Sequence, residues 1–339
     1  MQTMQIFSKL SFYGRAFMNM HVLRRSELAY LPEYVALEVT NVCNFKCAFC
    51  PQSDPKHHEI VPKSYLDKES CALFLRKIRE AGITTNLMHW TLDGEPFMND
   101  RFAELVHLSA EYSFTNTHFA SNGMLCTVDR LMEFPLDKVR LNIAIDFCAD
   151  KEFFENVRGT KRSWERVRSN IESILGDPRT QNVGLELTDI SSFSEDDPEK
   201  LSKAFEALQL LFGQHGNIKY RTRTFHNATG FIRLRTQKTG KKYHLCPYPW
   251  THFRIASNGD IVICCRDLDH KTVLGNLKTQ SAAEIWNGAP MLSVRRNLLN
   301  ETPECVAACK GCDLPFDDSK FTIQNVYRAA RGRMQLFSK

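Results

Sequence analysis

The sequence predicts an α/β protein of repeated strand–helix units, followed by a small cysteine-rich C-terminal segment. Three observations predict it. Short apolar runs alternate with longer stretches of helical periodicity from residue 34 to residue 225. The runs are mostly apolar without strict alternation, as expected of a parallel sheet covered by helices. After Thr236 the texture changes to a polar linker, QKTGKK, and six cysteines follow it: Cys246, Cys264, Cys265, Cys305, Cys309 and Cys312.

YVALEVT at 34–40 predicts the first strand, and it runs directly into CNFKCAFC. Residues 67–81 predict a helix, with Leu73, Ile78 and Ala81 among its apolar positions. LMHWTL at 87–92 is the second strand and ends at DGEP. Helical signals return at 99–110, and THFASN at 117–122 is a third strand closed by Asn122-Gly123. A short helix at 127–134 precedes the strand VRLNIAI at 139–145. The segment 163–175 carries Trp164, Val167, Ile171, Ile174 and Leu175 at helical spacing. VGLELTDI at 183–190, a helix at 199–212 and KYRTRTF at 219–225 complete the repeat.

Pattern alone leaves an open doubly wound sheet and a barrel both standing. A closed or nearly closed barrel would gather the motifs after strands one to four around one mouth. Beyond the linker, HLCPYPWTHFRIASNGDIVICC predicts two short strands about an SNGD turn. Helical pieces at 281–287 and 290–299 follow. So small a segment holds little core of its own, a deficit that metal ligation offsets.

Composition narrows the function. The 339 residues suffice for one large domain and one small one, and 43% hydrophobic content is ordinary for a globular chain. No apolar run approaches the length of a membrane span. The N-terminus MQTMQIFSKLSFYGRAFMNMHVLRR lacks the apolar core and cleavage site of a signal peptide. It reads as an amphipathic helix that packs on the body, with weak membrane-surface contact as the minority reading. The net charge of +5 is small and its Lys and Arg are dispersed, so nucleic acid is not an expected partner. Twelve cysteines at short spacings predict metal ligation in a reducing compartment, hence a cytoplasmic protein, not a disulfide scaffold.

Cys43, Cys47 and Cys50 stand as C-x3-C-x2-C on one loop. Zinc takes thiolates too, and would use His57 or His58 as a fourth ligand. A [4Fe–4S] cluster held by three cysteines leaves one iron open. The spacing, the preceding LEVTNVCN and Phe49 before Cys50 resemble the radical S-adenosylmethionine superfamily. The resemblance covers almost the whole chain. It implies a partial (β/α)6 TIM-type barrel with a small C-terminal iron–sulfur domain. It also implies that the open iron binds S-adenosylmethionine, whose reductive cleavage yields a 5'-deoxyadenosyl radical that abstracts hydrogen from substrate. Such a radical must form beside its target and away from water.

DGEP at 93–96 resembles the family's GGEP. Glu95 then binds the cofactor's amino group, Gly94 allows close backbone approach, and Asp93 departs from the usual first glycine. SNG resembles the family's segment after the third strand, which puts Ser121 and Asn122 near the cofactor. NIAID resembles the strand ending in serine-x-aspartate, with Ala144 replacing the serine and Asp146 either lining the pocket or bonding structurally. ENVRG fits a further family segment, and Arg158 would pair with a cofactor or substrate carboxylate. An ordinary turn at 121–123 and a structural ion pair at Arg158 are the plainer alternatives.

The C-terminal cysteines resemble the family's SPASM or shorter Twitch auxiliary domain. The chain lacks the cysteines needed for two auxiliary clusters, so one [4Fe–4S] held by Cys246, Cys264, Cys309 and Cys312 is expected. Similar spacing occurs in a Twitch-bearing aminocyclitol oxidase. Cys265 and Cys305 would be spare, with Cys265 the alternative to Cys264 and structural zinc the alternative to the cluster. The expected domains are a helical extension at 1–30, the barrel at 31–236 and the auxiliary domain with its tail at 237–339.

The resemblance implies an oxidoreductase that acts on a small polar substrate, such as a sugar, an aminocyclitol or a lipid head group. A flavodoxin or ferredoxin-like partner would donate the electron. Asp146 and His226 are candidates for proton transfer in an alcohol oxidation, and His89 for a packed role. Cys148 lies just after the fourth strand, where a thiol returning a hydrogen atom would make an epimerase instead. Peptide maturation and a non-enzymatic, metal-stabilised interaction protein are the other readings. For Cys71 and Cys126 a packing role is expected.

Overall fold

The computed structural model describes residues 11–227 and 242–316. Among the described residues nine strands form one sheet: β1 Tyr34–Leu37, β2 Leu87–His89, β3 Asn116–Ser121, β4 Arg140–Phe147, β5 Gly184–Asp189, β6 Ile218–Thr222, β7 His252–Ile255, β8 Asp260–Val262 and β9 Val273–Asn276. Their order is β6-β5-β4-β3-β2-β1-β7-β8-β9. β1 to β6 pair in parallel with their chain neighbours, as expected of a six-unit partial barrel.

The alternation of each strand separates two chemistries. On β4, Leu141, Ile143, Ile145 and Phe147 are buried, while Asn142, Ala144 and Asp146 are partly open on the opposite face. The register carries that second face across the sheet, with His89 beside His118, His118 beside Asn142, and Ala144 beside Glu186. One face therefore builds the core against the helices, and the other is polar and lines the barrel interior.

Helices cover the apolar face where the periodicity predicts them: Lys68–Glu80, Phe102–Glu111, Val128–Met132, Ser163–Gly176 and Pro198–Phe212. Asp67, Thr127 and Asp197 each accept a backbone N–H in the first turn of the helix they precede. Among the helices that the sequence pattern does not mark is Lys151–Arg158, only two turns long. Asp150 caps its start and Gly159, at φ 64°, ends it. A side chain at Gly159 would place its Cβ 2.2 Å from the Lys46 carbonyl oxygen, so this helix end lies directly against the cysteine loop. Gly159→Ala is therefore expected to displace that loop, seen as lower iron content after reconstitution and a lower melting temperature.

The C-terminal segment does not build a sheet of its own. β7 pairs in parallel with β1, and β8 and β9 continue antiparallel from it. Phe253, Ile255 and Ile261 join the same buried cluster as Val35 and Leu37. A segment too short to bury its own apolar surface extends the larger core instead. The two expected strands about SNGD are β7 and β8; β9 was not foreseen, because VLGN carries only two apolar residues. The expected boundary at Thr236 lies outside the described residues.

Of the N-terminal extension, residues 11–17 are helical and Met18–Val22 form a π-type turn. Phe12, Ala16 and Met20, spaced four apart, are buried, which fits packing on the body. Phe17, Met18, Val22 and Leu23 face solvent. Residues 1–10 and those after 316 lie outside the described part. No helix among the described residues is long and apolar enough to cross a membrane.

Candidate functional site

The cysteine loop follows β1 at the carboxyl edge of the sheet. Ala48 N–H donates to the Val157 carbonyl at 2.8 Å and Cys50 N–H to the Cys47 carbonyl at 2.9 Å, so the loop is fixed to the helix that carries Arg158. Phe45 N–H points at Cys43 Sγ from 3.4 Å. Burial pushes the Cys43 thiol up to about 12, with the Glu95 charge adding to it. Burial also raises Cys47 against the pull of Arg158, and raises Cys50 together with the Asp93 charge. Alone, these thiols hold their protons; a soft metal centre ionises them, so the donor set fits thiolate-ligated iron. Among the described residues no three His, Cys, Asp or Glu side chains close on a single ion. Each thiolate of a four-iron cluster takes a different iron, so its ligands need not.

His57 is not arranged as a zinc ligand. Its Nε2 lies 2.7 Å from Asp93 Oδ2 and its Nδ1 3.4 Å from Asp269 Oδ1. Burial lowers its affinity for a proton, but the two carboxylates outweigh burial and hold its pKa at about 9. An imidazolium has no lone pair for a metal. The Nδ1 of His58 lies 3.1 Å from the Val61 carbonyl.

The DGEP loop lies against the start of the cysteine loop. Glu95 N–H donates to the Val42 carbonyl at 2.9 Å. Gly94 has φ 69°, and a Cβ there would meet Thr40 O at 2.3 Å. Gly94→Ala is expected to be among the most damaging single-methyl changes in the chain, checked by thermal melting and S-adenosylmethionine binding.

Glu95 is 2% exposed. Its Oε1 accepts from Ser121 Oγ at 2.8 Å and Phe97 N–H at 3.3 Å, and its Oε2 from Asn122 N–H at 2.6 Å. Burial raises its pKa, and these donors and Arg158 oppose the rise. Asn122 in turn donates to Asn44 Oδ1 at 2.7 Å, with its Nδ2 3.9 Å from Cys43 Sγ. The second strand, the third strand and the cysteine loop thus meet in one hydrogen-bonded group.

Arg158 is 5% exposed, and its Nε has no hydrogen-bond partner. Its guanidinium lies over Phe45, Phe49 and Phe154 at 5.3, 5.7 and 5.9 Å. Burial works against its charge, but Cys47, Asp146, Cys43 and Glu95 raise its pKa overall. Asp146 lies 3.5 Å from Arg158 and also binds Arg223, whose guanidinium covers Phe49 and Phe225. Arg223 was missed in the sequence; alternation along KYRTRTF, which turns it to the barrel interior beside Asp146, was the available signal.

Two catalytic candidates lie deeper than their roles suggest. Cys148 is 1% exposed, its thiol donates to the Asp150 carbonyl at 3.3 Å, and burial raises its pKa. His226 is buried, with Nδ1 3.5 Å from Asp313 Oδ1. Asn227 N–H donates to the other oxygen of Asp313 at 3.1 Å, which ties the end of the barrel to the residue after Cys312. Cys71 and Cys126 are fully buried in the core. His89 stacks on Tyr34 at 3.9 Å in the barrel interior.

The second cysteine group is assembled from three stretches. His244 N–H donates to the Pro315 carbonyl at 2.7 Å, which holds the stretch with Cys246 beside the one with Cys309 and Cys312. Burial pushes Cys246 up to about 12 and raises Cys264, Cys309 and Cys312. Cys246 feels the charges of Cys312 and Cys265, and Cys264 those of Cys265 and Cys246. Cys265 therefore belongs to the group spatially and is not remote from it. Burial pushes its thiol up, but Arg254 and Arg266 outweigh burial and hold it below its ordinary value. Cys305 is exposed.

The Radical SAM superfamily profile matches residues 37–176, and an iron–sulfur cluster-binding SPASM domain profile matches residues 246–313. The chain belongs to the radical SAM superfamily. The matched regions contain both cysteine groups, and they bring S-adenosylmethionine and iron–sulfur clusters as cofactors. This radical SAM protein is 28% identical over 153 residues to GTP 3',8-cyclase of Chlorobaculum tepidum, covering 43% of this chain and 42% of that one. It is 27% identical over 147 residues to the sporulation killing factor maturation protein SkfB of Bacillus subtilis, covering 43% and 33%. The chain thus spans less than half the length of these curated relatives. Its fold is similar to BtrN in complex with AdoMet and 2-DOIA, at TM-score 0.57 and 16% identity, covering 84% of this chain and 94% of that one. Streptococcus suis SuiB bound to precursor peptide SuiA gives 0.51 at 15% identity, covering 88% and 73%. The anSMEcpe structure with bound AdoMet gives 0.52 at 15%, covering 89% and 92%.

Proposed function

We propose that this protein is an oxidoreductase that cleaves S-adenosylmethionine reductively and abstracts a hydrogen atom from a small polar substrate. The observation that carries the reading is the group made by Glu95, Ser121, Asn122 and Cys43. It joins a buried carboxylate suited to an ammonium group to a thiol of the cysteine loop. Cys43, Cys47 and Cys50 would hold a [4Fe–4S] centre, which when bound supplies the electron for sulfonium cleavage. Glu95 would receive the amino group of S-adenosylmethionine, Ser121 and Asn122 would orient Glu95, and Gly94 would permit the close approach. Arg158 would hold a carboxylate, and the Phe49 face would exclude water beside it.

The polar barrel interior supports a small polar substrate. His89, His118, Asp146 and Glu186 sit on its strands, and the neighbour BtrN is in complex with AdoMet and 2-DOIA. In an alcohol oxidation, Asp146 would accept or orient the hydroxyl proton. Cys246, Cys264, Cys309 and Cys312 would hold one auxiliary [4Fe–4S] cluster, whose part is to take up the remaining electron. A cytoplasmic setting with a flavodoxin or ferredoxin-like donor fits this chemistry. Peptide maturation stands second, because the neighbour SuiB is bound to a precursor peptide.

Two substitutions test the assignments. Cys264→Ala is expected to lower the iron content of the reconstituted protein by about four atoms per chain, whereas Cys265→Ala leaves it unchanged. The reverse result would move the ligand to Cys265. Cys148→Ala is expected to retain substrate turnover; abolished turnover with intact S-adenosylmethionine cleavage would establish the epimerase reading in place of oxidation.

A further inference from the structure

Asp93 occupies the position where the family motif has glycine, and it is connected to the C-terminal segment twice. Its N–H donates to Glu38 Oε1 at 3.1 Å. The other oxygen of Glu38 accepts from Ser257 N–H at 2.9 Å and Ser257 Oγ at 2.7 Å. Its carboxylate Oδ2 accepts from His57 Nε2 at 2.7 Å and Gln52 Nε2 at 3.1 Å, while Oδ1 takes the Gly94 N–H at 2.8 Å. The far nitrogen of His57 lies 3.4 Å from Asp269 Oδ1. Ser257 lies in the turn between β7 and β8, and Asp269 between β8 and β9. Glu38, His57 and Asp93 are 1%, 2% and 8% exposed. Glycine could make neither the contact to His57 nor the turn-closing bond to Gly94.

We propose that Asp93, His57, Asp269, Glu38 and Ser257 form a clasp through which the auxiliary segment positions the cofactor loop, so that S-adenosylmethionine affinity depends on residues outside the barrel strands β1 to β6. The inference rests on the radical SAM reading of that loop. Glu95 is two residues from Asp93, and its own position follows from the turn that Asp93 closes. The imidazolium of His57 compensates the buried carboxylate of Asp93 and the partly exposed one of Asp269, and its loss leaves the buried Asp93 charge without its partner. The groups facing His57 are Asp93 and Asp269, with the His58 ring 5.1 Å away; Gln52 bonds Asp93, and Lys271 pairs with Asp269 at 3.3 Å. His270, the residue after Asp269, pairs with Asp260 at 3.6 Å. Burial opposes the charge on His57, but Asp269 and Asp93 outweigh it and place its pKa at about 9. Because that value is raised, the clasp is intact below it and is lost as pH rises through it.

The test uses the full chain, anaerobically reconstituted, as wild type, His57→Gln, Asp269→Asn and the double variant. Isothermal titration with S-adenosylmethionine is run from pH 7 to 10, beside iron content and thermal melting. The expected result is unchanged iron and at least about fivefold weaker binding for each single variant at pH 7.5. The double variant should bind no more weakly than His57→Gln. Wild type should lose affinity through about pH 9, and His57→Gln should lack that alkaline limb. Equal affinity and the same pH profile in wild type and variants would overturn the proposal. So would loss of iron and fold in both single variants, which would make these residues part of the scaffold. Failure of wild type itself to bind S-adenosylmethionine would instead contradict the proposed function.

Discussion

Replacing Cys47 with alanine is expected to abolish S-adenosylmethionine cleavage and to lower iron content by about four atoms per chain, while the auxiliary group keeps its iron. Cys47 is the central thiol of the loop, 7% exposed, and lies in the field of Arg158. Two remaining thiolates cannot hold the centre, and no compensating ligand stands ready, since His57 is engaged by Asp93 and Asp269. Iron analysis with product chromatography for 5'-deoxyadenosine checks this. Retained cleavage would show that the radical centre is built elsewhere.

The second large effect is expected at Glu95, where two substitutions separate binding from folding. Glu95→Gln keeps the shape and one acceptor oxygen but loses the charge that would meet an ammonium. S-adenosylmethionine affinity should fall by roughly 2–3 kcal/mol, or about 30- to 150-fold, while melting temperature falls less than in Glu95→Ala, because the amide nitrogen leaves only one side of the acceptor pair unmet. Glu95→Ala also strips the acceptor from Ser121 Oγ and from the N–H groups of Asn122 and Phe97. Stability should then drop as well, by about 1–3 kcal/mol for each buried donor left without a partner. Titration calorimetry and thermal melting on both variants distinguish the two roles. A glutamine variant that binds as wild type does would remove Glu95 from the cofactor site.

Much of this was legible in the sequence because the strands are short and apolar and the helices long and periodic. β4 falls at 140–147 where the pattern predicts 139–145, and the helix Ser163–Gly176 falls where 163–175 is predicted. The motifs were legible for a different reason. Three cysteines at fixed spacing and a glycine forced to φ 69° leave few alternatives. Relations between distant segments were not legible. Nothing in LEVT indicates that Glu38 spans from Asp93 to Ser257, and nothing in DPKHH indicates that His57 sits between two carboxylates more than 170 residues apart. Both depend on β7 pairing with β1, a long-range event without a local signature. The same pairing explains why the C-terminal segment shares the barrel's core. Cys265 shows the same limit. The resemblance leaves it spare or as the alternative to Cys264, and its place beside Arg254 and Arg266 has no local signature in the sequence.

The most direct test of the account is the fate of S-adenosylmethionine on the full chain, reconstituted with iron and sulfide, reduced with dithionite and kept free of oxygen. The account predicts methionine and 5'-deoxyadenosine in equal amounts, with formation lost in Cys47→Ala. Zinc in both cysteine groups and intact S-adenosylmethionine after reduction would contradict it.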